Sequence, residues 1–151
     1  MLTIQSSIFK DCQPFVAGFI DVYENSKLTI DTSSFTNLYS IGSGSVVLAN
    51  YKENTISIRN STFKNNYAIL GGVFYAQFSS IIECSNCTFE NNFAMRGGVA
   101  FMNSNGVLRL TNSTLIGNRA LNAVVYISAC NADPTILDSV TFTANQILNM
   151  P

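Results

Sequence analysis

The sequence predicts an all-β chain, a right-handed parallel β-helix (solenoid) of about six coils with a period of 26–28 residues, filling 1–151 as a single unit. Three observations predict it. The segments SSIFKDC, TSSFTNL, NSTFKNN, NCTFENN, NSTLIGN and SVTFTAN place one apolar key residue at Phe9, Phe35, Phe63, Phe89, Leu115 and Phe142, at spacings of 26, 28, 26, 26 and 27 residues. A near-constant period of this size means a stack of units, none of which can bury its apolar face alone. Within each unit apolar and polar residues alternate with period two, and helical periodicity is absent.

The elements of one coil follow in order from the columns. Seven residues before the key position stand Leu2, Leu28, Ile56, Ile82, Leu108 and Thr135, and five before it Ile4, Ile30, Ile58, Cys84, Leu110 and Leu137. Polar residues lie between them, so this is a strand with one face buried. Three after the key residue comes an asparagine column, Asn66, Asn92, Asn118 and Asn145, and three before it another, Asn60, Asn86 and Asn112. Stacked asparagines bond to one another and to turn backbone, and tolerate the left-handed conformation that turns need, so both columns predict structural ladders. The triplets at Asn60, Asn86 and Asn112 also match the N-glycosylation pattern, which the repeat itself generates. Thr62, Thr88, Thr114 and Thr141 form a ladder that ordinary β-branched stacking explains.

Four after the key residue lies an aromatic column, Tyr39, Tyr67 and Phe93; self-stacking is the plain reading and a glycan-stacking platform the alternative. Six after it comes an apolar column, Phe15, Ile41, Ile69, Met95, Leu121 and Leu148. Small residues follow, as in Gly71-Gly72 and Gly97-Gly98, and then a second strand. That strand is expected to turn Val73 and Tyr75, Val99 and Phe101, Val125 and Ile127 outward, with Val47 at the preceding coil. A strand apolar on both faces is either covered by other protein or is an exposed sticky stripe, so these residues form the predicted interaction surface.

Composition narrows the function. The 8 basic and 9 acidic residues give a net charge of −1, and 11% charged residues with 47% hydrophobic ones leave Asn, Ser and Thr to supply the polar surface. No basic stripe exists, so a nucleic-acid partner is not expected. The absence of His removes the commonest general base and the His-based triads, and no ligand set for a metal or other cofactor is visible. The acids never share a column on adjacent coils, so no carboxylate pair for glycoside chemistry, and no catalytic residue, is nominated. Asp31 and Arg59, Lys64 and Glu90, and Glu83 and Arg109 are instead expected to meet as opposite charges on adjacent coils. Cys84-Ser-Asn-Cys87 is a C-x-x-C; Cys84 replaces an inward Ile or Leu, so the two are expected to be small buried hydrophobes or a local disulfide. The longest apolar stretch is too short to span a bilayer, and the opening Met1-Leu-Thr-Ile-Gln-Ser-Ser predicts a strand rather than a signal peptide.

The motifs NNYAILGGVF and NNFAMRGGVA, each following Phe-x-x-Asn at Phe63–Asn66 and Phe89–Asn92, resemble the repeats of the polymorphic outer membrane protein family, marked by G-G-A-I and F-x-x-N tetrapeptides. The third and fourth units carry the resemblance; the fifth has Ala123-Val124 for Gly-Gly. The resemblance implies a right-handed β-helix and a surface adhesin, and similar pectin-lyase-like repeats occur in large surface proteins of protists. The resulting expectation is a non-catalytic structural or adhesive segment of a longer cell-surface or extracellular repeat protein. Its partners are other protein or further coils of the same parent chain, with glycans a further possibility. A carbohydrate-active or glycan-binding β-helix is the alternative.

Overall fold

The computed structural model describes residues 1–13, 16–128 and 135–148, so Phe15 lies outside the described residues. The chain is a parallel β-solenoid whose coil visits four sheets in turn. The first sheet stacks Leu2–Gln5, Lys27–Asp31, Thr55–Arg59, Ile81–Ser85, Val107–Thr111 and Ile136–Asp138. The second stacks the three-residue strands Ile8–Lys10, Ser34–Thr36, Thr62–Lys64, Thr88–Glu90, Thr114–Ile116 and Thr141–Thr143. The third contains Tyr67–Leu70, Phe93–Arg96, Arg119–Ala120 and Gln146–Ile147, and the fourth Ile20–Asp21, Val47–Ala49, Phe74–Ala76, Ala100–Asn103 and Val125–Ser128. Six strands enclose five coil-to-coil steps, so the six sequence units wind about five turns.

The turns around the second sheet explain the polar columns. Asn60, Asn86 and Asn112 have φ of 50°, 54° and 48°, and Asn37, Asn65 and Asn91 on the other side have 56°, 54° and 53°. Each short strand is thus bracketed by left-handed residues, a conformation asparagine adopts at little cost. At the corner between third and fourth sheets, Gly71 and Gly97 have φ of +64° and +67°, and a Cβ on Gly72 would drive into the Gly98 carbonyl of the next coil. Glycine is required there by backbone approach as well as by φ.

The core is laid down as ladders. Phe9, Phe35, Phe63 and Phe89 stack along the axis at centroid separations of 5.0, 5.4 and 5.0 Å, and Phe74 meets Phe63 and Phe89 edge-on. Ile30, Ile56, Ile58, Ile82, Leu108 and Leu110 fill the space behind the first sheet. Two of the three expected ion pairs form, Lys64–Glu90 at 2.9 Å and Arg109–Glu83 at 2.7 Å. Asp31 and Arg59 are register neighbours without an ion pair, because the Asp31 carboxylate accepts hydrogen bonds from Thr32 and Asn60 instead.

The facing expected for the fourth sheet needs correction. Val47, Val73 and Val99 are fully buried members of the core, and Val125 packs against it. Val73 and Val99 precede their strands at a bulged corner, where the Val99 carbonyl accepts from the N–H groups of both Val73 and Phe74. For Val47 and Val125 the cause is register. Tyr39 pairs with Tyr67 at an offset of 28, but Ser43 pairs with Leu70 at 27, and Val47 then lies opposite Phe74 rather than Tyr75. Two coil pairs further on, Phe93 pairs with Arg119 at 26 but Ala100 with Val125 at 25. Each residue is lost ahead of the fourth-sheet strand, the first already within Tyr67–Leu70, and a one-residue slip moves every side chain to the opposite face. Ile127 therefore follows Ala76 and Met102 on the inward column, although in this last coil it is exposed. The outward column is Leu48, Tyr75, Phe101 and Tyr126, so of the expected set only Tyr75 and Phe101 point away from the core.

Candidate interaction face

Four features carry the chemistry that the sequence singles out. The first is internal. Asn66, Asn92 and Asn118 are fully buried and Asn145 partly so. Backbone N–H groups of Leu38, Asn66, Asn92 and Asn118 donate to the Oδ1 of the asparagine one coil on, at 2.9–3.0 Å. Each Nδ2 donates back to the carbonyl of Phe35, Phe63, Phe89 or Leu115, at 2.7–3.0 Å. The column satisfies backbone groups that the coil corner leaves without a sheet partner, which is why an amide rather than an apolar residue recurs there.

The cysteine pair is internal as well. Cys84 and Cys87 are buried free thiols, so no disulfide joins them. Cys84 occupies the inward Ile and Leu column, paired with Ile58 and Leu110. Cys87 occupies a buried serine column with Ser33, Ser61 and Ser113, and its Sγ faces the Ser85 carbonyl at 3.5 Å as Ser61 Oγ does Arg59 at 2.7 Å. Two separate repeat columns each taking a cysteine thus produce the C-x-x-C spacing. Burial pushes the Cys84 thiol well up, away from the thiolate that reactivity needs.

The third feature is a shallow groove of about 250 Å³ on the outer face of the first sheet, lined by Arg59, Glu83 and Arg109 among Ser57, Ser85 and Thr111. Among the described residues Glu83 is its only carboxylate, and it is engaged by Arg109. Among the described residues no cluster of three or more Asp, Glu, Cys or His side chains is placed to hold a metal ion.

The fourth is the outer face of the third sheet. Tyr39, Tyr67 and Phe93 stack at 4.7 and 5.4 Å with interplanar angles of 9° and 29°. Both faces of Tyr67 are therefore covered by neighbouring rings, and edges rather than faces point to solvent. A sugar needs an open ring face to lie on, so this geometry supports self-stacking over a glycan platform. Two residues along each strand, on the same outward face, stand Ile41, Ile69 and Met95, exposed at 38%, 38% and 44%. Between the two columns lie Ser40, Ala68, Ala94 and Ala120, all fully buried. The result is an exposed apolar face, two columns wide and three coils tall, on the order of a few hundred Å². Sequence reasoning found both columns but not their shared direction; the small residues between them were the available signal.

No helix of the described residues is long and apolar enough to cross a membrane. The chain matches no family model, no curated protein and no solved structure.

Proposed function

We propose that this chain is a non-catalytic structural or adhesive solenoid segment of a cell-surface or secreted protein, in the manner of the polymorphic outer membrane protein repeats that it resembles, and that it contacts protein through the outer face of the third sheet. The observation that carries the reading is the exposure of Ile41, Ile69 and Met95 beside the Tyr39–Tyr67–Phe93 ladder. Elsewhere the fold buries its aliphatic columns; here three successive coils present them to water, which costs solubility unless a partner covers them. The engagement of Glu83 by Arg109 in the first-sheet groove favours this reading over a carbohydrate-active one, since neither a carboxylate pair nor an unengaged carboxylate is offered there.

Light scattering tests the reading. Replacing Ile69 and Met95 together by Ser is expected to raise the second virial coefficient, reporting weaker attraction between molecules, with the melting temperature unchanged. An unchanged coefficient refutes it.

A further inference from the structure

The corner between the fourth and first sheets carries a second candidate site, separate from the third-sheet face. Two adjacent coils turn there through tight four-residue turns. The Ser80 N–H closes one onto the Gln77 carbonyl at 3.2 Å, and the Gly106 N–H closes the next onto the Asn103 carbonyl at 2.8 Å. Both central residues of each turn have positive φ: Phe78 and Ser79 at 53° and 61°, Ser104 and Asn105 at 45° and 67°. This is the type I′ pattern, which Asn, Asp and Gly satisfy. Ser104-Asn105 comes close to that chemistry, whereas Phe78 departs from it, since a bulky side chain in the left-handed region crowds its own backbone.

The Phe78 side chain is 44% exposed and stacks on no other described ring. The turn is nonetheless held firmly. Glu53 N–H donates to the Phe78 carbonyl at 3.2 Å, and buried Ser80 Oγ donates to the Tyr51 carbonyl at 2.7 Å. An aromatic ring is thus displayed, partly exposed, on a hydrogen-bonded, strained turn, and strain of this kind collects at binding sites.

Around the ring lies a hollow of about 330 Å³ lined by Lys52, Glu53, Phe78, Ser79, Ser104 and Asn105. The volume falls at the low end of the range of small-ligand sites, roughly 300–1,000 Å³. Its polar groups are hydroxyls, one amide and one charge of each sign, so donors and acceptors are both present and the net charge is zero. A partly exposed aromatic ring beside such groups matches a molecule with a C–H face and a rim of hydroxyls. We propose that this hollow is a binding site for a neutral pyranose, at mono- or disaccharide size, with Phe78 as the stacking platform and Ser79, Ser104, Asn105, Lys52 and Glu53 as hydrogen-bonding partners. The inner rings of the third-sheet and fourth-sheet ladders, Tyr67 and Phe101, have both faces covered by neighbouring rings.

Saturation-transfer NMR and calorimetry on the full chain test the proposal, using the methyl β-pyranosides of glucose, galactose and N-acetylglucosamine, with cellobiose, lactose and diacetylchitobiose. At least one probe is expected to bind in the millimolar range, with saturation reaching its ring C–H protons. Phe78→Gly is expected to weaken that binding at least tenfold while holding or raising the melting temperature, because glycine relieves the strain at φ +53°. Phe78→Tyr is expected to retain binding, and the Ile69→Ser, Met95→Ser pair to leave it unchanged. The proposal is overturned if no probe binds, if Phe78→Gly binds as the parent does, or if Phe78→Gly lowers the melting temperature, which would make the ring a packing element.

Discussion

Two outward aromatic ladders run along this solenoid, and they differ in what surrounds them. On the fourth sheet Tyr75, Phe101 and Tyr126 stack at 5.5 and 4.7 Å, within 1° and 10° of parallel. On the third sheet Tyr39, Tyr67 and Phe93 stack with nearly the same geometry. Yet Tyr75 and Phe101 are only 9% and 6% exposed, whereas Tyr39 is 44% exposed and adjoins the open Ile41, Ile69 and Met95 column. Stacking is therefore not what distinguishes them: any aromatic placed in one column of a β-solenoid meets its copy about 4.8 Å away and stacks. Exposure distinguishes them, and with it the role each ladder can play. The fourth-sheet ladder acts as a second, external piece of core; the third-sheet ladder remains available to a partner.

Substitution should break this symmetry first through stability. Phe101→Ser removes a nearly buried ring with a stacking partner on each side and is expected to cost about 3 kcal/mol. Tyr67→Ser also removes a ring stacked on both sides, but a half-buried one, and should cost about 1 kcal/mol. Urea unfolding of the two variants measures the difference, and equal losses would mean that the third-sheet ladder is as much part of the fold as the fourth.

The same comparison shows what sequence could reveal. The first and second sheets were legible because their strands keep even spacing around the key residue, and Phe35, Phe63, Phe89 and Leu115 all prove fully buried. The inner asparagine ladder was legible because a polar residue recurring at one phase of a repeat needs a partner at the next. The fourth sheet was not, since its facing depends on whether the preceding corner holds one residue more or fewer. Val47 and Tyr75 both stand twelve residues after their key residues, yet Val47 is paired with Phe74 and belongs to the core. In the fifth unit Ala123 and Val124 stand at the places of Gly98 and Val99, so the corner there lacks the left-handed glycine altogether. Such losses are silent in composition and visible only as hydrogen-bond register.

The smallest expected difference between the ladders is in their response to pH. Burial pushes the Tyr75 phenol above its ordinary value, partly offset by its contact with Asn103, and its hydroxyl also donates to Gln77 Oε1 at 2.9 Å. In the unfolded chain Tyr75 ionises near the ordinary tyrosine value of 10.0, so the unfolded state releases this proton first as pH rises. The folded state then holds more protons than the unfolded one, and stability falls with rising pH. The contribution is complete below the unfolded value and is lost as pH climbs through the raised folded one. Tyr75→Phe keeps the stack on Phe101 while removing the ionisable group, so the variant should lose less stability than the parent between neutral pH and a pH above the tyrosine range. Parallel stability curves for parent and variant across that window would show that Tyr75 ionises as freely in the fold as outside it, and the fourth-sheet ladder would then be no more sheltered than the third.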